Sequence, residues 1–450
     1  MPQVVPTIFT EEAIRGQYPG ELNEGSAYLL GRAFAQVLRA RKVVLGRDAR
    51  PSSHSLAASF TKGLLEEGVT VHDLGWASTP YLSFACQQAD YDGSVMVTAS
   101  HLPADSNGFL LTAARGKPLT LERGLTELRD LLRQGLPYRP VPVGTVAAKD
   151  YSTIYLDAIT RQRIIKKCTV AIDTSNGMAG LVVPAILQRF PQVTLVPINF
   201  EIDGLFPGHV PNPLLPDALI KLKGAVRLNK CDLGVAFDGD GDQIAFITPQ
   251  GELLPGDFVG VLLAQRQLLK HPAETILHDV RASWAVAEEV KKIGGRPIET
   301  RTGSGHIKQA MREQQAIFAA DPSMHYYFKD FYGSDNADYA LLEMLELLSE
   351  AQQPLQELVA PLKKYIQSGE ISLPVTDPQA VLSAVATHFK NAQQKNLDGL
   401  SLTYPDWHLN IRSALAQPIV HFNLEAKSSA LLKEKRNELA ELLQPFVQPN

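Results

Sequence analysis

The sequence predicts an α/β protein, with three related α/β domains plus a smaller C-terminal α+β domain around a central cleft. Three observations carry that prediction. The chain of 450 residues is too long for one compact core, and a prior of roughly 150 residues per domain gives about three or four. One pattern recurs three times along the chain, and residues 369–450 break with it. The divisions this implies are 1–150, 151–252, 253–368 and 369–450.

The repeat begins each time as an apolar strand running into Asp and then a polar, helix-starting residue. Its three copies are "KVVLGRDARPSS" with Asp48, "CTVAIDTSNGMAG" with Asp173 and "TILHDVRASWA" with Asp279. Each leads into an amphipathic stretch of helical length, "LAASFTKGLLEEG", "LVVPAILQRF" and "AVAEEVKKIGG". Each then enters a second β-rich run, "VTVHDLG", "VTLVPINF" and "RPIETRTG". Strand, helix and strand in succession make an α/β unit, so three related domains are more economical than one large sheet. Every unit also delivers a polar loop: "TASHLP", "FDGDGDQ" and "AADPSMHYYF". Residues 340–365, "ALLEMLELLSEAQQPLQELVAPLKKY", read as mostly helical and as the bridge to the last domain. That domain reads as strand, helix, strands and helix.

Composition narrows the function classes. A net charge of −5 argues against a protein that grips nucleic acid through an overall basic surface. Cys86, Cys168 and Cys231 are odd in number and widely spaced, which gives neither a disulfide framework nor a metal-ligand pattern. A reducing, cytoplasmic setting fits them best. The N-terminal "MPQVVPTIFTEEAIRG" lacks a basic region followed by a long apolar core, and no apolar run has bilayer-spanning length, so neither export nor membrane partners are expected.

Two loops carry chemistry. "GSVMVTAS" reads as a buried strand, which puts Ser100 and His101 on a loop at a strand's C-terminal end, where open α/β sheets place ligands. Alone, the pair reads more readily as a polar turn satisfying backbone groups. "FDGDGDQ" is the stronger signal, because alternating glycines let Asp238, Asp240 and Asp242 fold around one point. Three adjacent carboxylates repel unless a cation sits among them, and an all-oxygen set of this size suits Mg²⁺. A calcium loop needs Gly and Glu where this chain has Gln243 and Pro249, while a solvated acidic turn remains the plain alternative. A strand-end serine with a divalent-metal loop points to phosphoryl transfer.

With those residues in view, the chain resembles the α-D-phosphohexomutase family, the phosphomannomutases and phosphoglucomutases, over essentially its full length. The resemblance rests on "IRGQYPGELNEGSAYLLGRAFA", "GRDARPSS", "TASHLP", "SNG", "DTSNGMAG", "DGLFPGHVPNPL", "AFDGDGD" and "DFYGSDNADYALL", in that order. It implies a phosphoserine at Ser100, with His101 beside it, exchanging phosphate with a hexose phosphate through a hexose 1,6-bisphosphate. It implies Mg²⁺ held by Asp238, Asp240, Asp242 and the Ser100 phosphate. Arg15 matches the N-terminal arginine that family members bring to the site; Asp321, Ser323 and His325 fall on the sugar-binding loop, and Arg412 on the terminal phosphate-binding loop. The implied partner is a small phosphosugar.

Several positions depart from the family pattern. Leu102 and Leu110 stand where asparagine and lysine are usual, Gln243 replaces arginine, and Asp321 replaces glutamate. Ser304 replaces histidine, with His306 two places on; Ala414 and Ala416 replace hydroxyl donors, and Glu12 and Ala13 replace tyrosine and aspartate. The leading expectation is a mutase interconverting mannose or glucose 1- and 6-phosphates, with weakened or altered activity. The alternative is a phosphosugar-binding or regulatory paralogue with little turnover.

Overall fold

The computed structural model describes residues 4–351, 353–414 and 417–448, in two compact units. One unit runs to Leu254 and takes in residues 323–351; the other comprises Pro255–Pro322 and residues from 353 onward.

The first unit contains a seven-stranded sheet ordered Ile14–Gln17, Ser106–Ala113, Gly93–Val97, Lys42–Arg47, Thr70–Trp76 and Val146–Ala148, with Lys117–Pro118 paired to Ser106–Ala113. Lys42–Arg47 lies parallel to both its neighbours, and Ser106–Ala113 runs antiparallel to Gly93–Val97. All five residues of Gly93–Val97 are buried, as their unbroken run of small and apolar side chains requires. Helices Glu24–Leu38 and Ser53–Glu66 meet at glycines. A Cβ on Gly31 would lie 2.2 Å from the Phe60 carbonyl oxygen, and one on Gly63 2.2 Å from that of Tyr28. No larger residue permits so close a backbone approach.

The same unit holds a four-stranded sheet, ordered Ile244–Ile247, Leu233–Phe237, Cys168–Asp173 and Val193–Ile198, with helix Ala179–Gln188 following the repeated Asp. It also holds the hairpin Tyr326–Phe328 with Ser334–Asp335 and helix Ala337–Glu350, whose N-terminal amide at Tyr339 donates to the Asn336 side chain.

In the second unit, Thr275–Asp279 lies parallel to Arg296–Thr300 and to Phe318–Ala320. Helices Gly256–Lys270, Trp284–Lys292 and Ser304–Glu313 belong to this layer. A separate antiparallel sheet is ordered Ile366–Pro374, Ile419–Ala426, Trp407–Ser413, Leu400–Thr403 and Gln393–Lys395. Helices Pro378–His388 and Ser429–Leu443 cover its apolar core of Val381, Val385, Leu409, Ile411, Phe422 and Leu439.

Three α/β layers and a terminal sheet-and-helix layer thus match the predicted class. The bridging segment is less continuous than its composition implies. The helix stops at Glu350, Ala351 is extended, and a short second helix, Leu355–Val359, starts only after Pro354. Proline lacks the N–H that a continuing helix would need. Among the described residues no helix is long and apolar enough to cross a membrane.

Candidate active site

Ser100 sits three residues beyond the strand Gly93–Val97, in a left-handed backbone conformation with φ 49°. Its amide donates to Thr98 Oγ1 at 2.8 Å, which tightens the turn and points the side chain away from the strand. The hydroxyl then donates to Asp238 Oδ2 at 2.7 Å and lies 3.2 Å from His101 Nδ1. Ser100 is only 6% exposed. The serine of one repeat and the acidic loop of the next therefore form one constellation.

Asp238 closes the acidic loop on itself. Its Oδ1 accepts from the backbone amides of Gly241, Asp242 and Gln243 at 3.0–3.2 Å. Gly241 takes φ 78°, which few other residues adopt cheaply. Asp240 Oδ2 accepts from Thr79 Oγ1 at 2.6 Å, while its Oδ1 is buried with no hydrogen-bond partner. One oxygen each from Asp238, Asp240 and Asp242 lie within 4.8 Å of one another. Burial, then Asp240 and Asp242, push the Asp238 carboxyl well above the usual carboxylate range. Three crowded, buried carboxylates with an unpartnered oxygen fit a hard divalent cation, which removes both the desolvation cost and the mutual repulsion.

Around this centre, Arg15 lies in Ile14–Gln17 opposite Gly108, whose missing Cβ leaves room for it; a Cβ there would sit 2.9 Å from Arg15 Cδ. Arg15 Nη1 is buried with no hydrogen-bond partner. Burial lowers its pKa from the usual arginine value, and Asp240 opposes that. His101 is lowered to about 4 by burial and by the nearby Arg15 and His325, so it is neutral at pH 7. His325 brings its Nε2 to 3.8 Å from Asp242 Oδ1, and Ser323 precedes it on the same loop, where Met324 accepts from the Ile244 amide.

Two predicted residues belong to the other unit. Asp321 is buried at the end of Phe318–Ala320, and its charge acts on Arg281. Arg412 lies in Trp407–Ser413, where it pairs with Glu370.

The departures have structural settings of their own. Leu110 pairs with Met96 and packs on an apolar cluster of Val44, Leu82, Cys86, Tyr91 and Met96, so a leucine is at home there. Gln243 is buried with its Oε1 unpartnered. Ser304 opens helix Ser304–Glu313, in which His306 is buried. The Ala414 amide donates to Ile419 O at 2.8 Å; Ala416 lies outside the described residues.

One residue of the constellation goes unassigned by the sequence reading. Arg50, 2% exposed, donates its Nε to Asp48 Oδ2 at 3.0 Å, Nη2 to the carbonyls of Ser100 and Leu102 at 2.7 Å, and Nη1 to those of Pro103 and, at 3.0 Å, Ser106. It thereby staples the whole serine loop. Phe206 covers its guanidinium at 4.8 Å, and Gly204 lets that segment approach, since a Cβ there would be 2.1 Å from Ala49 O. The signal was present in "GRDARPSS" and "DGLFPGH". Arg281 stands at the same place in the third repeat, with its amide and Nε donating to Asp279 as those of Arg50 do to Asp48.

Known proteins give this geometry its relatives. Residues 6–135, 153–251 and 255–365 match models of the phosphoglucomutase/phosphomannomutase alpha/beta/alpha domains I, II and III. A phosphomannomutase of Escherichia coli is 32% identical over 97% of this chain and 99% of its own length, and one of Salmonella montevideo is 35% identical over 97% and 99%. A solved phosphoglucomutase/phosphomannomutase family protein from Burkholderia thailandensis superposes with a TM-score of 0.91 at 28% identity, covering 98% of each chain. With three domain models and near-complete coverage by these relatives, the chain belongs to the phosphoglucomutase/phosphomannomutase family and is a hexose-phosphate mutase.

Proposed function

We propose that the chain interconverts mannose or glucose 1- and 6-phosphates through a phosphorylated Ser100, with a hexose 1,6-bisphosphate as activator and intermediate. The observation that carries this is the 2.7 Å contact between Ser100 Oγ and Asp238 Oδ2, which sets a hydroxyl against a three-carboxylate loop. In the forward step the bond from phosphorus to Ser100 Oγ breaks as one forms to a sugar hydroxyl oxygen, and the proton of that hydroxyl is matched by the one Ser100 Oγ takes up. The resulting bisphosphate returns its other phosphoryl group to Ser100, which restores the enzyme and releases the isomeric monophosphate.

Asp238, Asp240 and Asp242 would hold Mg²⁺, which offsets the charge on the transferring oxygens when bound. Arg50 holds the serine loop in place, and Arg15 adds a positive charge close to these carboxylates. His101, kept neutral, adjoins Ser100 Oγ without adding a second cation. Asp321, Ser323 and His325 are assigned to the sugar and Arg412 to its phosphate. Gln243, Ala414 and Ala416 supply fewer charged or hydroxyl donors than the family pattern, so turnover is expected to be modest.

The division at 150, 252 and 368 belongs to the same proposal and is supported by the separate sheets described above. A cytoplasmic setting is supported by Cys86, Cys168 and Cys231, none of which is in a disulfide.

A coupled assay with mannose 1-phosphate, Mg²⁺ and a catalytic amount of the 1,6-bisphosphate tests the metal assignment. Asp240→Ala should lower turnover by about a hundredfold or more, since one ligand and its share of charge stabilisation are gone. Unchanged turnover and Mg²⁺ dependence in that variant would remove the acidic loop from the mechanism.

A further inference from the structure

Within the second unit, one carboxylate is already seated on the arginine assigned to the sugar phosphate. Arg412, 10% exposed, donates its Nη2 to Glu370 Oε2 in a very short contact, while its Nη1 lies 3.3 Å from both Asn410 Oδ1 and Asn423 Oδ1. Arg281 Nη1 approaches the same Glu370 oxygen at 3.8 Å, and His421 Nδ1 lies 3.9 Å from the other. Two guanidinium groups converging on one anionic oxygen is the arrangement by which proteins bind phosphate.

The backbone is shaped to put Glu370 there. Ile366–Pro374 pairs regularly with Ile419–Ala426 except between Gln367 and Glu370, where three steps on one strand match two on the other, from Glu425 to Asn423. Gly369 in this bulge takes φ 69°. A bulge re-aims the side chain that follows it. Unlike the arginine it contacts, the Glu370 side chain is 36% exposed and so has water to swing into. Burial works against its charge, yet Arg412 and Arg281 hold the carboxyl below the usual glutamate range.

We propose that Glu370 is a built-in competitor for the phosphate of the hexose phosphate: its carboxylate pairs with Arg412, beside an Arg281 that Asp279 already holds, and must be displaced when the phosphate binds. The proposal rests on the reading of Arg412 as the phosphate ligand. Glu370 thus sets how tightly the sugar's phosphate is held, a role separate from the chemistry at Ser100. With hydroxyl donors missing at Ala414 and Ala416, the competition weighs more heavily on binding than it would in a loop with those donors.

Calorimetric titration with mannose 6-phosphate separates the possibilities. Glu370→Gln keeps the shape and removes the competing charge, and should lower Kd by about five- to tenfold. Glu370→Asp shortens the reach and should tighten binding to a smaller degree, giving the same reading should the glutamine variant fail to fold. Arg412→Ala should raise Kd. If Arg412→Ala weakens binding while neither Glu370 variant tightens it, the competitor role is overturned and the reading of Arg412 stands. If Arg412→Ala leaves Kd unchanged, both fall.

Discussion

Arg50 illustrates how much one buried side chain can organise. Its five N–H donors meet five acceptors: one Asp48 oxygen and the carbonyls of Ser100, Leu102, Pro103 and Ser106. Lysine keeps the charge but offers only three donors. Arg50→Lys should therefore leave at least two buried acceptors unmet, at about 1–3 kcal/mol each. Urea unfolding should show a loss of about 2–5 kcal/mol, and turnover should fall at least tenfold as Ser100 loosens. A variant as stable and as active as the wild type would show that the loop holds its geometry without the clamp. At this scale the sequence was informative in parts. Ser100 and the three aspartates were legible because loop position and charge crowding are local properties. The contact between Ser100 and Asp238 was not, since the residues are 138 positions apart and only the fold joins them. Leu110, a departure visible in the motif, packs on an apolar cluster that only the fold assembles.

Among elements, the repeated strand-Asp-helix units were the most legible, because an apolar run of strand length followed by helical periodicity has few other solutions. What pattern cannot reveal is where one repeat has been put to other use: the same arginine clamps a loop as Arg50 and faces Glu370 as Arg281. The bulge before Glu370 was likewise hidden, since one extra residue in a strand leaves no period of its own. The terminal sheet also carries a testable titration. His408 packs against Trp284 with ring centroids 4.5 Å apart, and burial lowers its pKa from the usual 6.5 to about 4. Above pH 6.5 it is neutral whether folded or not. As the pH falls from there towards 4, the unfolded chain gains a proton that the folded one refuses, so stability drops by up to about 1.4 kcal/mol per pH unit. Glu425, with its Oε2 3.6 Å from His408 Nδ1 and its pKa raised from the usual 4.5 to about 7 by burial, runs the opposite way, losing stability as the pH rises from 4.5 towards 7. Subtracting the denaturation profile of His408→Gln from that of the wild type isolates the histidine. The difference should be confined to pH 4–6.5. A flat difference would mean that His408 takes up its proton equally in the folded and the unfolded protein.

At the scale of the whole molecule, class and family were legible because ordered motifs run from one end of the chain to the other. The partition into two compact units was not, because residues 323–351 leave the segment on either side of them in sequence and join the earlier unit, a choice made by tertiary packing. The proposed mutase chemistry turns on Ser100 as the residue that carries the phosphoryl group. The direct measurement is to incubate the Mg²⁺-loaded protein with a hexose 1,6-bisphosphate and locate the acquired phosphate by mass spectrometry, with mutase turnover followed on the same samples. Phosphate is expected on Ser100, discharged by added hexose phosphate, with no turnover in Ser100→Ala. Turnover that persists in Ser100→Ala, or a working wild type phosphorylated at some other residue, would contradict it.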